Sequence, residues 1–251
     1  MIFITDANDS RIAEFISIRD HVLHSNNLII AEAEKLYLQL KASGKAIHKI
    51  LATPGFIERN GLSGDNIFAA EKNVLEAVAG FKIHFEVLTL AEKPQDTKLD
   101  ALDDRIILLN GLSSPENVGS IVRSSAAFGI NSIITDEKSC SPYLRRCIRV
   151  SMGNIFAMKT YHAINLRGDL KKLKDLGYTI LSTANIPGSV DLTAYEFPKK
   201  CILIIGSEGH GVDQDILNNC DKILRINIDP QVAHLNASNA AAIFLSHMSI
   251  I

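Results

Sequence analysis

Three short stretches carry residue types that a packed core does not need. The first, NGLSSPENVGSIVRSSAAFG (Asn110 to Gly129), places Asn117, Gly119 and Arg123 behind the apolar run RIILLNGL. The second, IGSEGHGV (Ile205 to Val212), holds Glu208 between Gly206 and Gly211. The third, INIDPQVAHLNASNAAAI (Ile226 to Ile243), carries His234, Asn236 and Ser238. Arg123 sits in an otherwise small and apolar helix (Ile121, Val122, Ala126, Ala127, Phe128). There it either holds a phosphate and stabilises negative charge developing on an oxygen, or pairs with a buried Asp or Glu. It is no free base, because a guanidinium stays protonated in proteins. Asn117 can donate and accept, or cap a helix. Glu208 either accepts hydrogen bonds from Asn236 or a loop amide, or lies on a surface turn. Asn236 and Ser238 equally suit a helix cap. Glycines after a strand let backbone approach a ligand, or only make a turn. His234 either takes a proton from a hydroxyl near neutral pH or is a packing replacement.

The elements around these stretches must place them. The first part reads as a small α/β unit. A helix runs from Arg11 to about His24, capped by Asp9 or Ser10, with Ile12, Phe15, Ile16, Ile18 and Val22 on its apolar side. Leu28 to Ile30 and Ala46 to Thr53 read as strands, Glu32 to Ser43 as a helix. EKNVLEAVAG reads as a short helix closed by Gly80, and FEVLTLAE as another strand. The polar stretch Glu92 to Asp104 contains the linker, which gives an N-terminal domain at 1–95, a linker at 96–104 and a second domain at 105–251.

In the second domain strands apolar on both faces alternate with helices: RIILLNGL, the 117–128 helix, NSIITD, FAMKTYHAI, NLRGDLKKLKDLG, YTILSTAN, KCILIIGSE, DQDILNNC, KILRINI and the last helix LNASNAAAIFLSHMSI. That pattern predicts a mostly parallel sheet covered on both sides. Ligands in such folds collect at the carboxyl ends of strands, where the three stretches lie.

The totals exclude several classes. Four cysteines (Cys140, Cys147, Cys201, Cys220) among 251 residues show no CxxC pair and no metal-ligand spacing, so reduced thiols in a cytoplasmic protein are expected and no metal. No apolar run approaches the roughly 20 residues of a membrane span, and MIFITDANDSRIAEF lacks the pattern of a secretory signal. A net charge of −2 argues against gripping nucleic acid by bulk electrostatics. A local basic face remains in Lys138, Arg145, Arg146 and Arg149, with Arg123 upstream. No GxGxxG follows any strand, which disfavours a doubly wound nucleotide-binding oxidoreductase.

Together and in this order, the three motifs resemble the SpoU/TrmH family of 2′-O-ribose RNA methyltransferases, of the SPOUT class. Asn117, Gly119 and Arg123 match its first motif. Gly206, Ser207, Glu208, Gly209 and Gly211 match its second. Ile226, Leu235, Asn236, Ser238 and Ala240 match its third. VSMGNIF (Val150 to Phe156) is similar to a further family segment, and the likeness covers Arg105 to Ile251. More loosely, IAEAEKL and AVAGFKIHFEVLTLAEKP are similar to parts of the small substrate-binding domain that precedes the catalytic one in many members. Departures are Asn110 and Ser114 in place of Asp, Asn227 and Pro230 in place of Pro and Gly, and His234 in place of Ser; Ala33 and Glu86 replace common glycines.

The resemblance implies a SPOUT domain with a C-terminal trefoil knot. It implies methyl transfer from S-adenosyl-L-methionine to a ribose 2′-hydroxyl in structured RNA, tRNA or rRNA. Asn117, Arg123, Glu208, His234 and Asn236 are then the catalytic candidates. Thr183, Gly206, Gly211, Ile226, Leu235 and Ser238 are the cofactor-binding candidates. It further implies a homodimer of the catalytic domains and no membrane. The apolar last helix, Ala240 to Met248, is an interface candidate or simply core. The competing reading is a catalytically silent RNA-binding module that keeps the fold.

Overall fold

The structure, a computed structural model, describes residues 2–16 and 20–249. Its strands are β1 (Ile2–Ile4), β2 (Leu28–Glu32), β3 (Ile47–Ala52), β4 (Ile67–Ala70), β5 (Val87–Glu92), β6 (Arg105–Asn110), β7 (Ser132–Asp136), β8 (Lys159–Ala163), β9 (Thr179–Thr183), β10 (Val190–Asp191), β11 (Cys201–Gly206) and β12 (Lys222–Arg225). Its α-helices are α1 (Asp20–Ser25), α2 (Glu34–Ala42), α3 (Pro54–Arg59), α4 (Lys72–Ala79), α5 (Pro115–Ala127), α6 (Arg145–Val150), α7 (Leu166–Asp175), α8 (Gln214–Leu217) and α9 (Ala237–Ser249). The chain forms two compact units: Met1–Pro94 with Tyr143–Phe156, and Gln95–Pro142 with Ala157–Ile251. Among the described residues no helix is long and apolar enough to cross a membrane.

The first unit is a five-stranded sheet in the order β1-β4-β3-β5-β2, with β1, β4 and β3 parallel and β5 antiparallel to both its neighbours. Ile4, Phe15, Leu51, Leu75 and Leu90 pack into one core cluster, and Tyr37 meets Phe56 edge to face in another. The helix expected from Arg11 to His24 is not continuous. A 3-10 helix covers Ser10–Phe15, broken by Ile12 at φ −115° and ended by Ile16 in an extended conformation, and α1 covers Asp20–Ser25. Asp9 is the cap, accepting from the Arg11 amide at 2.9 Å, and Ile18 lies outside the described residues. The strand-helix pair at α3 and β4 went unread, although Thr53 and Pro54 supply a cap and a first-turn proline.

Two of the sequence departures fall in this unit. Ala33, ahead of α2, has φ 91° and ψ 153°, a region that only glycine adopts without strain. Glu86, on the surface, makes an ion pair with Arg59. The segment around α6, which the sequence suggested for the second domain, groups with the first unit. Arg149 reaches the buried Glu32 carboxylate at 2.8 Å, and Arg145 meets Asp20 at 3.1 Å.

The second unit is a seven-stranded sheet in the order β10-β12-β9-β11-β6-β7-β8, parallel at every pairing. This matches the expected parallel α/β sheet. The central strands β6 (RIILLN) and β11 (CILIIG) are buried along nearly their whole length, the behaviour of strands covered on both faces. Leu108, Ile134, Leu170, Leu173, Ile180 and Ile202 form its core cluster. Chain order reverses between β6 and β11: after β6 the chain moves out through β7, and after β11 it moves the other way to β12. Such a reversal opens a crevice at the carboxyl ends of the two strands. The last helix, α9, packs on α5 with Ala241, Phe244, Leu245 and Met248 buried, so its apolar face is largely core.

Candidate active site

The first motif leaves β6 and enters α5 through a cap. Ser114 Oγ accepts from the Asn117 amide at 3.4 Å, with Pro115 at the first helical position. Ser114 thus does the capping, and the Asn117 side chain is left for another partner. Its Oδ1 accepts from Asn236 Nδ2 at 3.0 Å, and Asn117 is buried. This bond joins the first motif to the third. The other end of Asn236 caps α9: its Oδ1 accepts from the Ser238 amide at 2.9 Å and the Ser238 hydroxyl at 2.7 Å. Asn236 is therefore a cap, as the sequence allowed, and also a bridge to Asn117, a partner the sequence did not suggest.

Arg123 lies on the exposed side of α5, while Val118, Ile121 and Val122 are buried. Among the described residues it makes no ion pair. The reading of Arg123 as half of a buried salt bridge does not hold, and its five donors remain open to a ligand.

The second motif folds back on itself. The Ser207 amide donates to Gly211 O at 3.1 Å and the Gly211 amide to Ser207 O at 2.9 Å. A Cβ on Gly206 would lie 2.2 Å from the Gly211 carbonyl carbon, and Gly211 has φ +67°. Both glycines are thus required by the loop's own closure. Glu208 and His210 project from the exposed tip. The expected hydrogen bond from Asn236 to Glu208 is absent; Asn236 donates to Asn117 instead.

Beneath these loops lies a network that sequence reasoning missed. Asn110, at the end of β6 and 2 % exposed, donates through Nδ2 to Asp136 at 2.7 Å and to Asp213 at 3.2 Å. Its Oδ1 accepts from the Asp213 amide at 2.8 Å. Asp136 also accepts from the amides of Gly111 and Ser139. Lys138, paired with Asp213 at 2.8 Å, and then Asn110 hold the Asp213 carboxyl below its usual range. An amide at position 110 bridges two carboxylates where a third carboxylate would be repelled, which gives a physical reason for Asn in place of Asp. The available signal was Asp136 closing the strand NSIITD at the ligand-bearing edge.

Thr183, Ile226, His234 and Leu235 come together around one cleft at the carboxyl ends of β9 and β12. Leu224, Ala240 and Phe244 add apolar wall. The Thr183 hydroxyl donates to Ile204 O at 3.0 Å, fixing the end of β9 to β11. His234 is exposed at the cleft. Gly206, Gly211 and Ser238 do not line it. Asn185 and Arg225 do, and neither was singled out from sequence. Burial pushes the thiols of Cys201 and Cys220 up to about 11, and among the described residues no His, Cys, Asp or Glu cluster is arranged to hold a metal.

The model of the SpoU rRNA Methylase family matches residues 104–246. An uncharacterized tRNA/rRNA methyltransferase of Mycolicibacterium gilvum (strain PYR-GCK) is 30% identical over 155 residues, which are 62% of this chain and 49% of the relative. A putative TrmH family tRNA/rRNA methyltransferase of Staphylococcus epidermidis (strain ATCC 35984) is 29% identical over 216 residues, 79% of this chain and 85% of the relative. The chain spans about half the length of the mycobacterial relatives it matches. Among solved structures, the AdoMet-bound rRNA methyltransferase from Sinorhizobium meliloti superposes with a TM-score of 0.88 at 19% identity, covering 98% of this chain and 96% of that one. The SpoU methyltransferase AviRb from Streptomyces viridochromogenes, in complex with AdoMet, gives 0.82 at 20% identity, covering 98% and 97%. At such identities the likeness is one of fold.

Proposed function

Because the chain belongs to the SpoU rRNA methylase family, we propose that it is a tRNA or rRNA methyltransferase that moves the methyl of S-adenosyl-L-methionine to a ribose 2′-hydroxyl. The observation that carries this is the Asn117–Asn236 hydrogen bond, which ties the first motif to the third beside the cleft. Arg123, on the same helix as Asn117, makes no ion pair among the described residues.

The cleft suits the cofactor: apolar walls from Leu224, Ile226, Leu235 and Phe244 accept a nucleoside, and polar groups at Thr183 and Asn185 fix its orientation. When bound, S-adenosyl-L-methionine supplies a methyl already made electrophilic by its sulfonium. The protein's part is alignment and charge. Holding hydroxyl and donor in line contributes several kcal/mol, up to roughly 7–11 in ideal systems. Arg123 binds a substrate phosphate and stabilises the charge that grows on the ribose oxygen as its proton leaves. His234, exposed at the cleft, is the side chain assigned to take that proton. Asn117, held by Asn236, orients the start of α5 and with it Arg123.

This reading extends to a homodimer of catalytic domains, a C-terminal knot, and a substrate-binding role for residues 1–95. Light scattering that returned a monomer at micromolar concentration would remove the dimer. For the chemistry, His234→Ala is followed against pH with single-turnover methyl transfer. A changed pH profile is expected if the imidazole accepts the proton. An unchanged profile removes His234 as base.

A further inference from the structure

Arg225 closes β12 one residue before Ile226 of the third motif. It lines the apolar cleft and also an adjoining polar chamber that contains Asn185, Asn227 and Asp229. The two spaces share Asn185, Arg225 and Ile226, so one molecule can extend from the first into the second. The Arg225 Nε is buried and makes no hydrogen bond within the described chain. Arg225 itself is half-buried, so its shielded Nε is a donor that a ligand entering the chamber can meet. Nearby Asp191 does not satisfy it. Asp191 is engaged by the Thr193 hydroxyl and amide at 2.7 and 2.8 Å, and also by Asn227. Those Thr193 bonds, ahead of any influence of Arg225, are what hold the Asp191 carboxyl low.

We infer that this polar chamber holds the zwitterionic α-amino-acid end of the cofactor, its carboxylate on Arg225 and its ammonium on Asp229. The inference rests on the methyl-transfer reading above. Asp229 has one carboxylate oxygen bonded to the Gln231 amide at 2.8 Å, which leaves the other for a cation. An amino-acid head group carries one charge of each sign, and the chamber is lined by one guanidinium and the Asp229 carboxylate. A nucleic-acid phosphate fits less well, because Asp191 lies near the guanidinium and Asp229 lines the same chamber with negative charge. Asn185, common to both spaces, can bond either the ribose or the carboxylate.

Equilibrium binding to the full chain tests this with two thioethers. S-adenosylhomocysteine keeps the amino-acid end, and 5′-methylthioadenosine lacks it. In Arg225→Met, S-adenosylhomocysteine affinity is expected to fall roughly 10- to 100-fold, the value of a hydrogen bond to a charged group. Affinity for 5′-methylthioadenosine should stay within about twofold, which also reports an intact cleft. Arg225→Lys should recover part of the loss. Unchanged binding of both ligands by Arg225→Met overturns the assignment. If that variant loses both ligands, Asp229→Asn decides: selective weakening of S-adenosylhomocysteine upholds the chamber, and wild-type behaviour overturns it. A wild-type chain that binds neither thioether refutes the methyltransferase reading itself, a different result from any of these.

Discussion

The bridge between Asn117 and Asn236 can be taken apart by substitution. Asn236→Ser keeps a capping oxygen for α9 but removes the amide that donates to Asn117, whereas Asn236→Ala removes both. A neutral hydrogen bond contributes about 0.5–1.5 kcal/mol, and losing a cap costs about 0.5–2 kcal/mol. Asn117 is buried, so Asn236→Ser strands its Oδ1 without a partner and should fall at the upper end, about 1.5 kcal/mol. Asn236→Ala should cost about 2–3 kcal/mol. A cycle with Asn117→Ala should give a coupling near 1 kcal/mol. The chain has two units, so the readout is hydrogen exchange at amides of the first turns of α9, with urea unfolding of the intact protein as a second measure. The reasoning is refuted if Asn236→Ser matches wild type and the coupling stays within about 0.3 kcal/mol of zero.

Other expectations follow from single positions. Gly206→Ala puts a methyl 2.2 Å from a backbone carbon, so the second-motif loop must open; methyl transfer should be lost while thermal melting falls by only a few degrees. Ala33→Gly should stabilise the chain by about 1 kcal/mol in urea unfolding, because relief of strain at φ 91° outweighs glycine's extra freedom when unfolded. Asn110→Asp adds a carboxylate beside Asp136 and Asp213. Its folded pKa is raised above the unfolded value near 4, so its penalty is absent in acid and grows as pH rises through about 4. The variant should be destabilised by about 1–3 kcal/mol at pH 7 and approach wild type near pH 3.5; equal loss at both values would contradict the network.

What could be read in the sequence depended on how local the cause is. The β6 and β11 runs are apolar on both faces, and that alone marks central parallel strands. Gly80 at φ 80° and Gly177 at φ 87° close or follow their helices as their placement suggested. The three motifs stood out because each follows a strand. Other features rest on distant partners. Arg149 meets Glu32 and Arg145 meets Asp20 across more than a hundred residues of chain, so the grouping of α6 with the first unit has no local signal. Asn117 looked like a cap because capping is its commonest local use, yet Ser114 three residues earlier already fills that place. β1 and β4, of three and four residues, are too short to show a period. Arg225 was read as part of a strand, and only the cleft beside it reveals an unsatisfied donor.

The central claim is methyl transfer to a ribose oxygen under the charge of Arg123. Its most direct test uses methyl-labelled S-adenosyl-L-methionine, the intact protein and total tRNA and rRNA, followed by digestion to nucleosides. The account predicts label in 2′-O-methylated nucleosides, with the single-turnover rate lowered about 100- to 1,000-fold in Arg123→Met and cofactor affinity unchanged. Label on a base, or an Arg123→Met rate equal to wild type, would contradict it.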